Sequence, residues 1–383
     1  MYFAFGLRSS LLLIFFVHLL VYGCLFIKRG YQQERLSDRL IGVFFCLGAL
    51  FIAPWMTGFG GWYDMQPYRD FLFYTPLLQP LFFGPLLYLY IKSLTNASYR
   101  ISRKEWLHFL PGTLYLLWAA IVFVVDKLIL KRYYLMNGVS DPDFDTWYSW
   151  VWVISVLIYL LLTLRYYRQY LTFTNLEYSF AESAGFRWLR NFLYVFGLLT
   201  LLFLGEHILS LFIELHYIRS WYYFFAFALI CYYMAISAYG SSPVPEPKLN
   251  FEPERLHAYQ EPEETIIVEG DQSWLLPWKE KLEYAMKDKA YLNPELTLTE
   301  LARKIGTNAS LLSKVINSGY GQNFNDYINS FRVSEAIRLM NDPACKNFSL
   351  LAIAFDAGFN SKSTFNRAFR KVTGTIPREH LNI

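Results

Sequence analysis

Seven stretches of roughly 18–24 predominantly apolar residues fill the first 240 positions of this 383-residue chain. Each is long enough to cross a ~30 Å hydrocarbon core as a helix. Backbone placed in hydrocarbon must satisfy its own hydrogen bonds, so helices are the expected solution there. The stretches are Ser9–Ile27, Leu40–Thr57, Phe71–Leu94, Trp106–Val125, Trp147–Leu164, Asn191–Ile213 and Trp221–Tyr239. Only 17% of the chain is charged, against roughly 25% in soluble domains, which excludes a wholly soluble protein.

The basic residues set an orientation. Twelve Lys or Arg fall in the first, third and fifth connections, against six at the N-terminus and in the others. The count predicts an N-terminus outside and a C-terminus in the cytoplasm, as an odd number of crossings requires. Trp62, Trp106, Trp147, Trp188 and Trp221 stand where the apolar runs meet water. Pro54, Pro76, Pro80 and Pro85 predict kinks in the second and third runs. His108 and Asp126 fall near interfaces, where wetted helix ends account for them. His18 and Glu206 lie deeper, where an ionisable group needs a partner or a cavity. His18, Glu206 and His207 are therefore the candidate signal site, with a small polar cavity expected near Glu206 in the outer half of the bundle. His207 and Glu214 share a helix face but sit two turns, roughly 10 Å, apart, so no metal site is expected.

Residues 241–273 contain most of a Pro-rich, acidic tether: 240–273 hold eight Asp or Glu against two Lys or Arg. Residues 274–383 invert the balance, with 15 basic against 10 acidic residues, in keeping with a polyanionic partner.

Within that last segment two helix-turn-helix units can be read. Thr297 and Glu300 form a capping box, and Leu298, Leu301, Ala302 and Ile305 follow as an apolar stripe. After the turn Gly306-Thr307-Asn308, a helix is expected to present Ser310, Ser313, Lys314 and Asn317 outward. Asn323 caps a long helix that ends at Asp342-Pro343, roughly 27 Å of strut. The second unit runs Leu350–Ala357, turn Gly358-Phe359-Asn360, then a helix capped by Ser361. Phe365, Ala368, Phe369 and Val372 are predicted inward; Lys362, Ser363, Asn366, Arg367, Arg370 and Lys371 carry the outward chemistry. Arg suits guanine and Asn suits adenine in the major groove, while Lys suits phosphate.

The pattern Leu301-Ala302, Leu312-Ser313, Asn323-Phe324, Tyr327-Ile328, Arg332-Val333, Ile353-Ala354, Gly358-Phe359, Phe365, Phe369-Arg370-Lys371, Gly374 and Pro377 resembles the DNA-binding domain of the AraC/XylS family. The run Gly84-Pro85-Leu86-Leu87-Tyr88 and the multispanning front half are similar to membrane-integrated regulators of that kind. The resemblance implies an all-α chain: a seven-helix transmembrane bundle (1–240), a linker (241–273) and a soluble double helix-turn-helix domain (274–383). It further implies that Ser310, Ser313, Lys314, Lys362, Ser363, Asn366 and Arg367 approach DNA. The expected function is a transcription regulator in the bacterial inner membrane that passes a signal to promoter DNA. A transporter or membrane enzyme with a regulatory tail is the alternative. Double-stranded promoter DNA, the lipid bilayer, RNA polymerase and a second copy of the chain on DNA are the expected partners. No cofactor, no metal and no catalytic residue are expected, and the effector is left open.

Overall fold

A computed structural model describes residues 5–181, 185–213, 217–240, 249–254, 256 and 274–380. All regular elements among the described residues are helical. The tether expected at 241–273 therefore lies mostly outside them. The chain divides into two compact units: Met1–Arg165 with Arg187–Pro243 and Lys248–Asn250, and Tyr166–Phe186 with Val244–Pro247 and Phe251–Ile383.

In the first unit, α1 (Leu7–Gln32) and α2 (Leu36–Gly58) form a close hairpin. Glycines allow the approach: a Cβ on Gly42 would stand 2.8 Å from the Gly23 carbonyl, and one on Gly23 would stand 2.6 Å from Cys46 Sγ. Such small-residue contacts let helix backbones meet where burial of apolar surface supplies no drive. Arg29 and Asp38 close the hairpin with a two-pronged ion pair (2.6 and 2.9 Å). Helix α2 is central, with 78% of its apolar window buried. A phenylalanine cluster (Phe44, Phe51, Phe83, Phe227) packs around it.

Among the described residues six helices are long and apolar enough to cross a membrane: Leu7–Gln32, Leu36–Gly58, Glu105–Ile129, Thr146–Glu177, Trp188–Leu209 and Ile218–Gly240. The third apolar run, expected as one span, is instead two shorter helices, α3 (Tyr68–Tyr74) and α4 (Phe83–Thr95). Proline has no N–H to give and clashes with the preceding turn, so Pro76 and Pro80 break the helix rather than kink it. The freed backbone is satisfied by protein: the Leu78 N–H donates to Asp143 Oδ2 (2.8 Å), and Tyr148 donates to the Leu78 carbonyl (2.7 Å).

The broken segment nevertheless joins opposite ends of the unit. At its start, Asp70 meets Lys127 (2.5 Å), and nearby Tyr63 donates to Asp141 (2.8 Å). At its finish, the Ala97 N–H donates to the Leu249 carbonyl (2.8 Å), just past the last apolar helix. Arg29 also lies at that end, its guanidinium 4.8 Å from the Tyr239 ring centre. The remaining long elements are Glu105–Ile129, which contains α5 (Leu110–Phe123), then α6 (Thr146–Glu177), α7 (Arg187–Leu209) and α8 (Tyr217–Gly240).

The second unit contains α9 (Leu275–Lys287), α10 (Leu298–Ile305), α11 (Ala309–Tyr320), α12 (Phe324–Met340), α13 (Leu350–Asp356) and α14 (Lys362–Thr373). Leu282, Leu298, Leu301, Leu312, Val315, Ile316 and Ile328 centre one core; Val333, Ala336, Ala354, Phe359 and Phe369 centre another. Helix α12 serves both, through opposite halves of its length. The last three turns of α6 belong to this unit, and Tyr166, Tyr170 and Phe173 there enclose Phe251 at 5.1–5.6 Å.

Candidate nucleic-acid interface

Local chemistry builds both helix-turn-helix units. The Thr297–Glu300 capping box is formed, and Gly306 takes φ +78°, the left-handed conformation that ends α10 and starts the turn. Asn308 caps α11 by accepting from the Leu311 N–H (2.7 Å). In the second unit Ser349 caps α13, and Ser361 caps α14 by accepting from the Thr364 N–H (3.2 Å). Gly358 turns the chain between them at φ +90°; a Cβ there would stand 2.7 Å from the Tyr291 carbonyl. At 17 residues, α12 separates the two units by about 26 Å of helix.

Helix α14 turns Phe365, Ala368 and Phe369 inward. It leaves Lys362, Ser363, Asn366, Arg367, Arg370 and Lys371 exposed on the other side. Lys371 is held 2.7 Å from Asp326, which fixes that ammonium at the edge of the face. Val372, expected inward, is 49% exposed: the helix is in its last turn, past the end of the core.

Helix α11 departs further from expectation. Ser310 and Lys314 are half-buried, but Ser313 is only 8% exposed and is no part of an outer stripe. Periodicity places these residues on one face; it does not show that the start of α9 lies across that face. Lys314 Nζ sits 5.7 Å from the Trp274 ring centre, and a Cβ on Gly319 would meet Lys279 at 2.5 Å. Asn317 remains exposed and points its amide at Ser313 Oγ (3.5 Å).

A residue that sequence reading had assigned no role ties α12 to the segments before α10 and after α6. Arg332, on α12, is fully buried with no carboxylate against it among the described residues. Its guanidinium donates to the carbonyls of Tyr291 (2.8 Å), Asn293 (2.6 Å) and Ser179 (3.2 Å), and to Ser179 Oγ (2.9 Å). Burial pulls its pKa down to about 9, still cationic at neutral pH. Asn325 adds a bond to the Tyr178 carbonyl (3.1 Å), Glu177 accepts from the Thr299 N–H (3.3 Å), and the Ser179 N–H donates to Leu296 (3.2 Å). Residues 177–179, just past or ending α6, are thus clasped to both α10 and α12. The available sequence signal was Arg332 itself, standing on the apolar stripe Ile328–Arg332–Ala336.

In the first unit Glu206 and His207 line a cavity of about 200 Å3 with Trp55, Asp143, Trp152 and Phe203. His18 does not join them. Its ring lies 4.4 Å from Tyr22 and 4.3 Å from Tyr232, and its Nε2 is buried without a hydrogen-bond partner among the described residues. Asp143 was not singled out in advance, although Asp141-Pro142-Asp143-Phe144-Asp145 sets three acids between two apolar runs. Burial, reinforced by the neighbouring Asp141, pushes Asp143 up to about 7, and burial raises Asp141 to about 6. Tyr115 donates to Asp143 (2.6 Å).

Residues 301–382 match the family described as a helix-turn-helix domain, of the AraC type. No curated protein matches the chain. No solved structure matches it either. The carboxy-terminal part is therefore an AraC-type helix-turn-helix domain, the domain of a DNA-binding transcription regulator. It follows, in the same chain, six helices apolar and long enough to cross a membrane.

Proposed function

We propose that this chain is a one-component regulator held in the bacterial inner membrane by seven crossings, six continuous and one broken at Pro76–Pro80. Its N-terminus lies outside, and its DNA-reading unit lies in the cytoplasm. The observation that carries the reading is the exposed Lys362, Ser363, Asn366, Arg367 and Arg370 face of α14, on a chain whose front half is too apolar for water. The orientation is supported by the twelve-to-six bias of basic residues and by the contact that brings Arg29 to Tyr239, at the end of the last apolar helix.

On DNA, Asn366 and Arg367 read base edges and Lys362, Ser363, Arg370 and Lys371 hold the backbone. Helix α11 contributes through Ser310 and Lys314, without Ser313. Two copies binding side by side would place their units on successive turns of the duplex. The direct test combines membrane fractionation with in-cell footprinting. The full chain should sediment with membranes and protect specific promoter sequences, with an affinity in vitro that falls steeply with salt. A chain that remains soluble, or that binds no duplex above background, overturns the proposal.

A further inference from the structure

The cavity beside Glu206 has a lining that specifies a class of ligand. Two stacked aromatic pairs contribute to its walls: Trp55 with Phe224 at 4.6 Å, and Trp152 with Phe203 at 4.8 Å. Among the described residues two carboxylates reach it, Glu206 and Asp143, and no Lys or Arg does. The Glu206 carboxylate forms no hydrogen bond and no ion pair among the described residues; Arg219 attracts it electrostatically without touching it. A carboxylate left without a partner in apolar surroundings is costly, so its complement is a cation. Tryptophan faces are the best aromatic partners for a cation, and the attraction grows when water is excluded. The volume, about 200 Å3, equals some seven water molecules of liquid, too small for a peptide and ample for a compact amine.

The lining also fixes the side from which a ligand arrives. Trp55 ends α2, Asp143 precedes α6, Glu206 is near the end of α7, and Phe224 is near the start of α8. These positions share the end of the unit away from Arg29, Ala97 and Leu249. In the orientation given above, that end faces the outside.

We propose that this cavity binds a small organic cation, a quaternary or primary alkylammonium, with Glu206 as its counter-charge and Trp55 and Trp152 as its cation–π walls. Asp143 supplies a second, tunable charge: its carboxyl titrates near neutrality, so a cation in the cavity favours the ionised form and binding releases a proton. His207 also lines the cavity, its ring 5.7 Å from Trp150 and 4.3 Å from Phe203.

The test uses the full chain in an uncharged maltoside detergent, without DNA, so that failure leaves the DNA reading untouched. Isothermal titration would compare choline and n-butylammonium with 3,3-dimethylbutan-1-ol, which has the shape of choline and no charge. Saturable binding of at least one cation is expected, with the alcohol at least 10-fold weaker than choline if choline is the cation bound. Glu206→Gln should weaken cation binding 10-fold or more at unchanged melting temperature. Trp152→Leu should weaken it by a smaller factor. The proposal is overturned if neither cation binds saturably, if choline binds and the alcohol equals it, or if a folded Glu206→Gln chain binds as the parent does. The wild-type comparison stands even if a variant fails to fold.

Discussion

Replacing Ser179 with alanine tests whether the clasp on Arg332 is an integral part of the DNA-reading unit. The change removes one acceptor, Ser179 Oγ, 2.9 Å from Arg332 Nη2, in a site with no exposure to water. The same nitrogen keeps the Asn293 carbonyl at 2.6 Å, so one charged N–H loses its partner and the rest of the network stands. A hydrogen bond to a charged group contributes about 1.5–3 kcal/mol, and the lost oxygen leaves too small a space for a compensating water. At about 1.4 kcal/mol per tenfold, local opening should become roughly 10- to 150-fold more frequent. The backbone reports this directly, because the N–H of residue 179 is bonded to Leu296 at 3.2 Å. Hydrogen exchange on the full chain should show protection at 178–181 and 291–293 in the parent, reduced by that factor in Ser179→Ala. Protection at 311–316, in the α11 core, should change much less. An unprotected residue 179 in the parent, or a change under about threefold, refutes the clasp as a stabilising element.

Further expectations concern the reading face, the turn and the acidic loop. Arg367→Ala should cost about 1–3 kcal/mol against the preferred sequence and relax specificity, whereas Lys371→Ala should weaken all duplexes similarly; fluorescence anisotropy on matched and mismatched sites separates the two. Gly358→Ala should destabilise the second unit by about 2–5 kcal/mol, from a strained φ of +90° plus a 2.7 Å overlap with the Tyr291 carbonyl, as a melting experiment would show. Asp143, raised from 3.8 to about 7, contributes stability that is full below pH ~4 and is lost as pH rises through 7. The melting temperature of the purified chain should therefore fall between pH 4 and 7, with Asp141 adding in the same direction and Asp143→Asn flattening the slope.

What could be read from sequence followed the range of the interactions involved. Capping by Thr297, Asn323 and Ser361 acts over three residues, and each of these caps was legible from residue type and spacing; Asn308, read only as part of the turn, caps α11 in the same way. The inward face of α14 followed from periodicity until Val372, where the core ends before the helix does. The third apolar run shows the limit of hydropathy: its composition suits a span, but Pro76 and Pro80 decide its backbone. Ser313 shows the limit of periodicity: it shares the polar stripe with Ser310 and Asn317, yet the fold buries it. For the clasp, the partners Ser179 and Arg332 lie 153 residues apart, and no local pattern encodes that meeting. Glu206 and His207 were legible as costly residues in an apolar run, whereas Trp55, Asp143, Trp152 and Phe224, which complete the cavity with Phe203, come from other segments of the chain.

Because Ser179 precedes Arg332 by 153 residues, the clasp also records how the chain was made. At synthesis rates of about 5–20 residues per second, residues 177–180 wait roughly 8–30 s for their partner. In the topology proposed above, α7 and α8 cross the bilayer and return during that interval. Two crossings bring the tail back to the compartment where Tyr178 and Ser179 are waiting; a single crossing strands it on the far side. In that topology, the clasp can close only when both arms are inserted. A chain with one hairpin arm left out would lose the Ser179 acceptors of Arg332, which would keep only its bonds to the Tyr291 and Asn293 carbonyls and to Asn329. The arginine that steadies the DNA-reading unit would then also certify that the membrane half was threaded correctly.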